Sequence, residues 1–247
     1  MNKTAYYLLA VGLTVATMPV AHAGGMVHRY DFNGNLNDSI GSIPLTSNGG
    51  TLGAGYLDFG ASEGPSLNME TALAGNYTIA MRFSLAALDG WRKVVDFQDR
   101  SQDAGQYTYY GNLNFYPVLS GSSVIAPNTM VEAVFTRNGA DGTYAAYLNG
   151  STTPELTFTD LGNNAVATVI GSAARLNFFQ DDYHGGSGEA SAGRVTEIAI
   201  WDGALAPSEI PNAFASVPEP ATWMSSLVVL GGVAGLVVRH RRMKTAA

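Results

Sequence analysis

The 247-residue chain contains no cysteine, and charged residues make up only 13% of it. Without thiols it can have no disulfide framework, no thiol nucleophile and no cysteine-bound metal. The part between its two ends also lacks any long apolar repeat with a period of 3.6 residues, so a helical bundle is not expected. Stability must therefore come from the packing of a core that is not a helical bundle, with a bound ion as the one possible addition.

Basic residues are scarce in the body of the chain, residues 24–217. Of the 13 basic residues in the sequence, Lys3 and four residues beyond position 238 lie at the ends, which leaves 8 in the body. Of the 20 acidic residues only Glu219 lies outside the body, so 19 remain and the body carries a charge of −11. Such an acidic surface repels phosphates and argues against nucleic acid as a partner. It is compatible with a hard cation such as calcium, and equally with ordinary solubilising charge.

The C-terminal part of the chain combines a short motif, an apolar stretch and a basic cluster. An uncharged stretch covers residues 221–238. At about 1.5 Å per residue these residues are just long enough for a helix that crosses a hydrocarbon core of about 30 Å. The motif before it is Pro218-Glu219-Pro220, and the basic residues behind it include Arg239, Arg241 and Arg242. These arginines are expected to stop translocation and to stay in the cytoplasm.

This order of three parts over residues 217–242 resembles the PEP-CTERM sorting signal of Gram-negative bacteria. The resemblance implies that an exosortase, a membrane-embedded protease, recognises and cleaves the chain at Pro218, Glu219 and Pro220. It also implies that the chain resides in the inner membrane only transiently.

The N-terminal part has the pattern of a secretory signal peptide. Lys3 is followed by a nearly uninterrupted apolar run over residues 6–20. Ala21 and Ala23 then fit the small-x-small cleavage pattern, with Gly24 as the first mature residue. The alternative, a first membrane helix, has a short core and no stop-transfer charges behind it. We therefore expect export through the Sec translocon after removal of residues 1–23, and a final location in the cell envelope, on the outer surface or in the extracellular matrix.

The exported part, residues 24–216, has the alternating pattern of β-strands almost throughout. In residues 77–84, Ile79, Met81 and Phe83 share one face, which is the period of two that a half-buried strand requires. Residues 130–137 alternate in the same way, and the Asn- and Gly-rich residues 138–142 predict a hairpin to the strand at 143–148. Further strands are predicted at 27–32, 56–59, 91–97, 106–110, 113–116, 156–158, 175–179 and 194–201. Many short strands predict a two-sheet antiparallel sandwich or jelly roll.

Five segments resemble laminin-G-like domains of the concanavalin A-like jelly-roll superfamily, in the order that this family has them. They are residues 29–39, 94–107 with 113–116, 144–150, 176–182 and 193–210. The resemblance implies a jelly roll over residues 24–216, a fold that hosts glycan-binding domains and β-glucanases. The closing strand of that family carries an acidic pair, whereas this chain has Thr196 in place of the first acid and keeps only Glu197.

Two catalytic motifs bear on whether the chain is an enzyme. The segment from Gly60 to Gly64 matches the G-x-S-x-G elbow of hydrolases around Ser62. The elbow requires a following helix, which Pro65 and Asn68 oppose, so a glycine-rich turn explains the match better. The Glu-x-Asp-x-x-Glu strand of β-glucanases, which would supply the two carboxylates of a glycosidase, does not occur in the chain. The sequence therefore predicts that the chain is not an enzyme.

Acidic residues gather in two predicted loops. Calcium binds six to eight oxygens, often from carboxylates at the edge of a sandwich. The resemblance adds that laminin-G-like domains place calcium in such loops. A weak calcium site is therefore predicted, with solvated loop charge as the alternative. Its candidate ligands are Asp99, Asp103, Asp181 and Asp182.

Tyrosines lie close to these loops in the sequence. Exposed tyrosines can stack on sugar rings, whereas buried ones fill a core, and the sequence leaves both roles open. The candidate glycan-binding residues are Tyr107, Tyr109, Tyr110 and Tyr183.

Taken together, these patterns predict an exported, non-catalytic surface or matrix protein that binds glycan or extracellular polysaccharide. The alternatives are a purely structural matrix protein without a small ligand and a hydrolase of the jelly-roll superfamily.

Overall fold

The computed structural model describes residues 24–69, 75–167, 169–170, 173–184 and 188–215. The chain divides into two units between Ala213 and Phe214, and the first unit is the one described below. The predicted signal peptide (1–23) and sorting signal (217–242) lie outside the described residues and stay predictions. No helix within the described ranges is long and apolar enough to cross a membrane.

The described residues form strands and one short 3-10 helix. The strands are β1 (Met26–Tyr30), β2 (Thr51–Leu52), β3 (Leu57–Phe59), β4 (Ser66–Met69), β5 (Tyr77–Leu85), β6 (Trp91–Asp96), β7 (Gly105–Tyr109), β8 (Asn112–Tyr116), β9 (Leu119–Val124), β10 (Val131–Arg137), β11 (Thr143–Leu148), β12 (Leu156–Thr159), β13 (Val169–Ile170), β14 (Ala173–Phe178) and β15 (Gly193–Trp201). The 3-10 helix covers Pro207–Asn212.

The strands pair into two antiparallel sheets. The first sheet has the order β12-β11-β10-β5-β15-β3-β2, with β1 also pairing with β15. The second has the order β13-β14-β6-β7-β8-β9, with β4 pairing with β14. The predicted all-β sandwich of two antiparallel sheets is therefore confirmed, and so is the predicted hairpin between β10 and β11.

The core between the sheets consists mainly of aromatic and branched aliphatic side chains. The ring of Phe179 stacks on Phe59 at a centroid distance of 4.5 Å and lies 5.2 Å from Phe83. Phe115 of the second sheet meets Tyr144 of the first at 4.8 Å, so the two sheets interdigitate. Contacts of this kind supply the stability of a chain that has no disulfides.

The outer face of β5 differs from expectation, because a half-buried strand should expose Thr78. The hydroxyl of Thr78 instead donates to the carbonyl of Gly203 and accepts a hydrogen bond from the amide of Leu205, both at 2.8 Å. The segment that follows β15 therefore lies over the end of β5, and Thr78 is fully buried.

The serine of the elbow-like motif lies in a turn. Ser62 has a left-handed backbone with φ of 61°, and strand β4 follows instead of a helix. Its hydroxyl accepts a hydrogen bond from the amide of Asp181 at 3.2 Å. The interpretation of this motif as a glycine-rich turn is therefore confirmed, because a nucleophile elbow leads from a strand into a helix.

Candidate functional site

A cluster of charged and polar side chains lies against strands β6, β7 and β8 on the face turned away from the core. Leu113 and Phe115 of β8 point into the core, so Asn114 between them points outward. Tyr107 pairs with Asn114 and with Lys93, which places all three residues on this outer face.

Lys93 is the positive centre of this cluster. Its ammonium donates to Asp182 Oδ2 and to the carbonyl of Ala104, both at 3.0 Å. It also lies 3.6 Å from Asp96 Oδ2 and 4.0 Å from the ring centroid of Tyr107. Lys93 and Asp96 are fully buried, so the ammonium of Lys93 and the carboxylates beside it compensate each other's charge without water.

Three carboxylates gather beside this lysine. One oxygen each of Asp103, Asp182 and Glu189 lies within 4.8 Å of the others. The Tyr107 hydroxyl lies 3.0 Å from both Asp103 Oδ1 and Asp182 Oδ2, and its single proton serves one of them at a time. We call Lys93, Asp103, Tyr107, Asp182 and Glu189 the acidic cluster.

Repulsion in the acidic cluster affects its ionisation. Burial raises the pKa of Glu189, and the charges of Asp103, Asp181 and Asp182 raise it further. Burial likewise raises the pKa of Tyr107 far above its usual range, so the phenol stays protonated and can donate. With three carboxylates against one ammonium, the cluster has an excess of negative charge that a cation would neutralise.

The predicted calcium ligands have different partners. Asp103 and Asp182 join the acidic cluster. Asp99 Oδ1 instead accepts from Arg175 at 3.1 Å, outside the cluster. Asp181 Oδ2 accepts the amides of Gly188 and Glu189, while its Oδ1 is buried without a hydrogen-bond partner among the described residues.

The donor set of the acidic cluster fits calcium. Oxygens bound to one calcium ion at 2.3–2.6 Å lie at most about 5 Å apart, which matches their separation here. The unpartnered Asp181 oxygen, next in the chain to Asp182, adds a further uncompensated acceptor. Glu189, which follows the second acidic loop in the sequence but is not among the predicted ligands, contributes the third carboxylate of the cluster.

The acidic cluster does not offer the geometry of a glycosidase. A retaining pair of carboxylates stands about 5–5.5 Å apart with the glycosidic bond between them. Here the Asp182 side chain is only 1% exposed, because Lys93 and Tyr107 pack against it. That the chain is not an enzyme stays a prediction.

The four candidate tyrosines differ in exposure. Tyr107 is fully buried within the acidic cluster and cannot stack on a sugar. Tyr183 is 75% exposed, but the guanidinium of Arg100 lies 4.2 Å from its ring centroid and occupies one face. Tyr109 is 37% exposed and packs against Trp91, whereas Tyr110 is 60% exposed.

Tyr110 has an unusual backbone. It forms with Gly111 the two-residue turn between β7 and β8, and the φ angles of the two residues are 47° and 83°. Two positive φ angles define the type I′ turn, which favours asparagine and glycine. A bulky aromatic residue in this conformation is strained, and strain of this kind is concentrated at functional sites.

The side chain of Tyr110 lines an open depression at the loop end of the sandwich. The depression has a volume of about 420 Å³. A second depression of about 550 Å³ shares Val124 and Ile125 with the first. The first is lined by Ala86, Ala87, Leu88, Asp89, Tyr110, Val124, Ile125 and Pro127. An exposed ring beside such a depression can bind a flat apolar face, and sugar rings present such a face.

No family model matches the chain, and no curated protein matches it in sequence. Solved structures do match its fold. Domain 4 of an extracellular GH43 arabinanase from Geobacillus stearothermophilus, in complex with arabinotriose, is 18% identical with a TM-score of 0.58. The match covers 78% of this chain and 99% of that domain.

Two further solved structures share the fold over part of their length. Trypanosoma rangeli sialidase in complex with the inhibitor DANA is 15% identical with a TM-score of 0.57, over 79% of this chain and 33% of the sialidase. The receptor binding domain of botulinum neurotoxin D is 12% identical with a TM-score of 0.53, over 75% of this chain and 51% of that domain. The chain thus spans about a third of the sialidase and half of the neurotoxin domain.

These neighbours overturn the function predicted from sequence. The predicted role as a surface or matrix protein that binds extracellular polysaccharide is wrong, because the fold recurs in domains of glycoside hydrolases, an arabinanase and a sialidase. Export and the absence of catalysis are not tested by these neighbours and stay predictions. At these identities the comparison establishes a β-sandwich shared with such domains.

Proposed function

We propose that the sandwich is a carbohydrate-binding domain of the kind that accompanies glycan-degrading proteins, and that it binds sugar at the depression beside Tyr110. The observation that carries this proposal is the exposed ring of Tyr110, held by a strained turn at the edge of the depression. The arabinotriose bound to the arabinanase domain of the same fold supports it.

The surroundings of Tyr110 suit this role. Trp91 packs on Tyr109 at a centroid distance of 4.2 Å, and Tyr109 meets Tyr110 edge to face at 4.7 Å. This row of rings supports the ring of Tyr110 from behind, so little side-chain entropy is lost when a sugar stacks on it. Asp89 offers carboxylate oxygens that can accept hydrogen bonds from sugar hydroxyls, while Arg92 holds it in place.

Replacing Tyr110 with alanine is expected to weaken binding of a short oligosaccharide such as arabinotriose by about tenfold or more, since the stacking ring is lost. Isothermal titration of the full-length chain in mild detergent measures this effect. Tyr183→Ala is the matched control, because that ring is also exposed but lies against Arg100. Equal losses in both variants, or a loss only at Tyr183, would rule out the site beside Tyr110.

We also propose that the acidic cluster binds calcium weakly, with a dissociation constant on the order of 0.1–1 mM. Calcium at about 10 mM should then raise the melting temperature by about 3–10 °C, because it binds only the folded state. Asp103→Asn combined with Glu189→Gln should remove this gain. The double variant should not destabilise the calcium-free protein, because it relieves the repulsion between carboxylates and leaves the ion pair of Lys93 with Asp182 in place. Calorimetry with Asp99→Asn as control tests the site, and a calcium response that survives in the double variant would refute it.

We further propose that the chain is exported and sorted through its two ends. The support is the signal-peptide pattern ending at Ala23 and the Pro218-Glu219-Pro220 motif with its apolar stretch and arginines. In a host with an exosortase, the mass of the processed form should correspond to a chain that begins at Gly24 and ends near this motif. Peptides containing Arg242 in that form would show that the tail is retained.

A further inference from the structure

The two depressions at the loop end of the sandwich adjoin, and together we call them the groove. Val124 and Ile125 belong to the walls of both, so the depression beside Tyr110 borders directly on the second one. Val124 is 72% exposed and stands between them. A ligand longer than one or two sugars that stacks on Tyr110 can therefore continue over Val124.

The second depression has the polar groups that a sugar chain needs. The polar residues in its walls include Ser123, Asn149, Ser151 and Glu155. Glu155 is held rigidly, because its carboxylate accepts hydrogen bonds from the Ser123 amide at 3.0 Å and the Ser123 hydroxyl at 2.7 Å. A fixed acceptor of this kind orients hydroxyl groups without a large cost in entropy.

The charged residues that line the two depressions are Asp89 and Glu155, both acidic. Arg92 pairs with Asp89 and compensates its charge, so Glu155 is the main negative charge that a ligand in the groove meets. The hydrogen bonds from Ser122 and Ser123 outweigh partial burial and lower the pKa of Glu155, so its charge persists at neutral and mildly acidic pH. The body as a whole carries −11, and therefore an anionic ligand meets repulsion both at a distance and in the groove.

We propose that this groove selects neutral oligosaccharides of several units, which extend from Tyr110 across Val124 to Glu155, and that it rejects uronic and sialic acid chains. This inference rests on the proposed carbohydrate-binding function and deepens it. Glu155 is assigned two roles, as an acceptor for hydroxyl groups at the far end of the ligand and as the charge that excludes carboxylates.

The ligands for the test are matched in geometry. Mannose and mannuronate oligosaccharides with the same linkage differ only at the C6 group, and an arabinose series from two to six units tests the effect of length. Titration of the full-length chain should show affinity that rises by about tenfold from two units to the length that fills both depressions. The neutral oligosaccharide should bind about tenfold or more tightly than its acidic counterpart, because like charges a few ångströms apart repel.

Substitutions in the groove test which residues cause the preference for neutral ligands and the dependence on ligand length. Glu155→Gln keeps the size and polarity of the side chain and removes its charge, so the preference for neutral ligands should fall severalfold while the melting temperature changes little. Val124→Ala should reduce the gain with length, and it should weaken the disaccharide less than the longer oligosaccharides, because the ring of Tyr110 remains. Leu161→Ala is the control, since Leu161 is 89% exposed and lines neither depression.

The outcomes separate the two proposals. Equal affinity for neutral and acidic oligosaccharides, or no gain with length, would overturn the extended neutral groove while leaving sugar binding at Tyr110 intact. Loss of discrimination in Glu155→Gln together with loss of the length effect in Val124→Ala would establish it. Failure of every oligosaccharide to bind would overturn the proposed function, and the extension with it.

Discussion

Replacing Lys93 with methionine should lower the free energy of unfolding by about 3–5 kcal/mol, because removal of one partner leaves buried charges uncompensated. Lys93 is fully buried and lies 3.0 Å from Asp182 Oδ2 and 3.6 Å from Asp96 Oδ2. Methionine fills a similar volume without an ammonium. The measured loss therefore reports mainly on the charge.

The loss should also depend on pH. Burial raises the pKa of Asp96 even with Lys93 present, and without the ammonium it would rise further. A carboxyl whose folded-state pKa is raised gives the folded state its full stability below the unfolded-state pKa and loses it as the pH rises through the folded-state value. The deficit of Lys93→Met should therefore be largest at neutral pH and smaller near pH 4.

Urea denaturation at several pH values measures both effects. Arg194→Met is the matched control, since Arg194 pairs with Asp58 on the surface and such a pair contributes about 0–1 kcal/mol. A Lys93 variant no less stable than the Arg194 variant would contradict the role of Lys93 in compensating buried charge.

Lys93 also shows where sequence patterns stop being informative. Strand β6 is predicted at 91–97 and is observed at Trp91–Asp96, and Lys93 lies on its face opposite the core. What the pattern could not show is that residues far along the chain cover this face. The amide of Lys93 donates to the carbonyl of Glu189 at 2.7 Å, and this contact depends on tertiary structure alone.

Contacts between residues far apart in the chain also explain why the sequence did not show the roles of Tyr107 and of the calcium ligands. Tyr107 was a candidate sugar-binding residue, yet Asp103 and Asp182 close over it, so an outward-pointing tyrosine became a buried donor. Tyr110, only three residues away, is exposed because the turn places it beyond the sheet. The Tyr-Gly turn was the available local signal, since type I′ turns favour asparagine and glycine over an aromatic residue.

Strand β9 was not predicted, because it lacks an apolar face. Strand β9 (Leu119–Val124) reads Leu-Ser-Gly-Ser-Ser-Val and lies at the edge of the second sheet, where most of its side chains are exposed. An edge strand pairs through its backbone and needs little burial, so periodicity cannot reveal it. This strand nevertheless forms part of the proposed groove, because Ser123 and Val124 belong to it. Sequence patterning thus located the core more readily than the site.

The assignment of Phe83 and Phe135 to the core predicts a second large loss of stability. Truncation of Phe83 or Phe135 to alanine should each cost about 3–5 kcal/mol, because the transfer free energy of the ring is lost and a cavity remains. Both side chains are almost completely buried, and Phe83 packs 5.2 Å from the ring of Phe179. Leu161→Ala, on an exposed loop, should change stability by less than about 0.5 kcal/mol.

Urea denaturation of the three variants tests the assignment of strand faces. Phe83 and Phe135 lie on neighbouring strands β5 and β10, where Phe83 pairs with Val131 and Phe135 with Ile79. Because both project into the same core from the first sheet, their losses should be similar in size and should lower the denaturation midpoint at an unchanged slope. Losses below about 1 kcal/mol at both positions would mean that the core relaxes around the missing rings, contrary to the close packing of the two sheets.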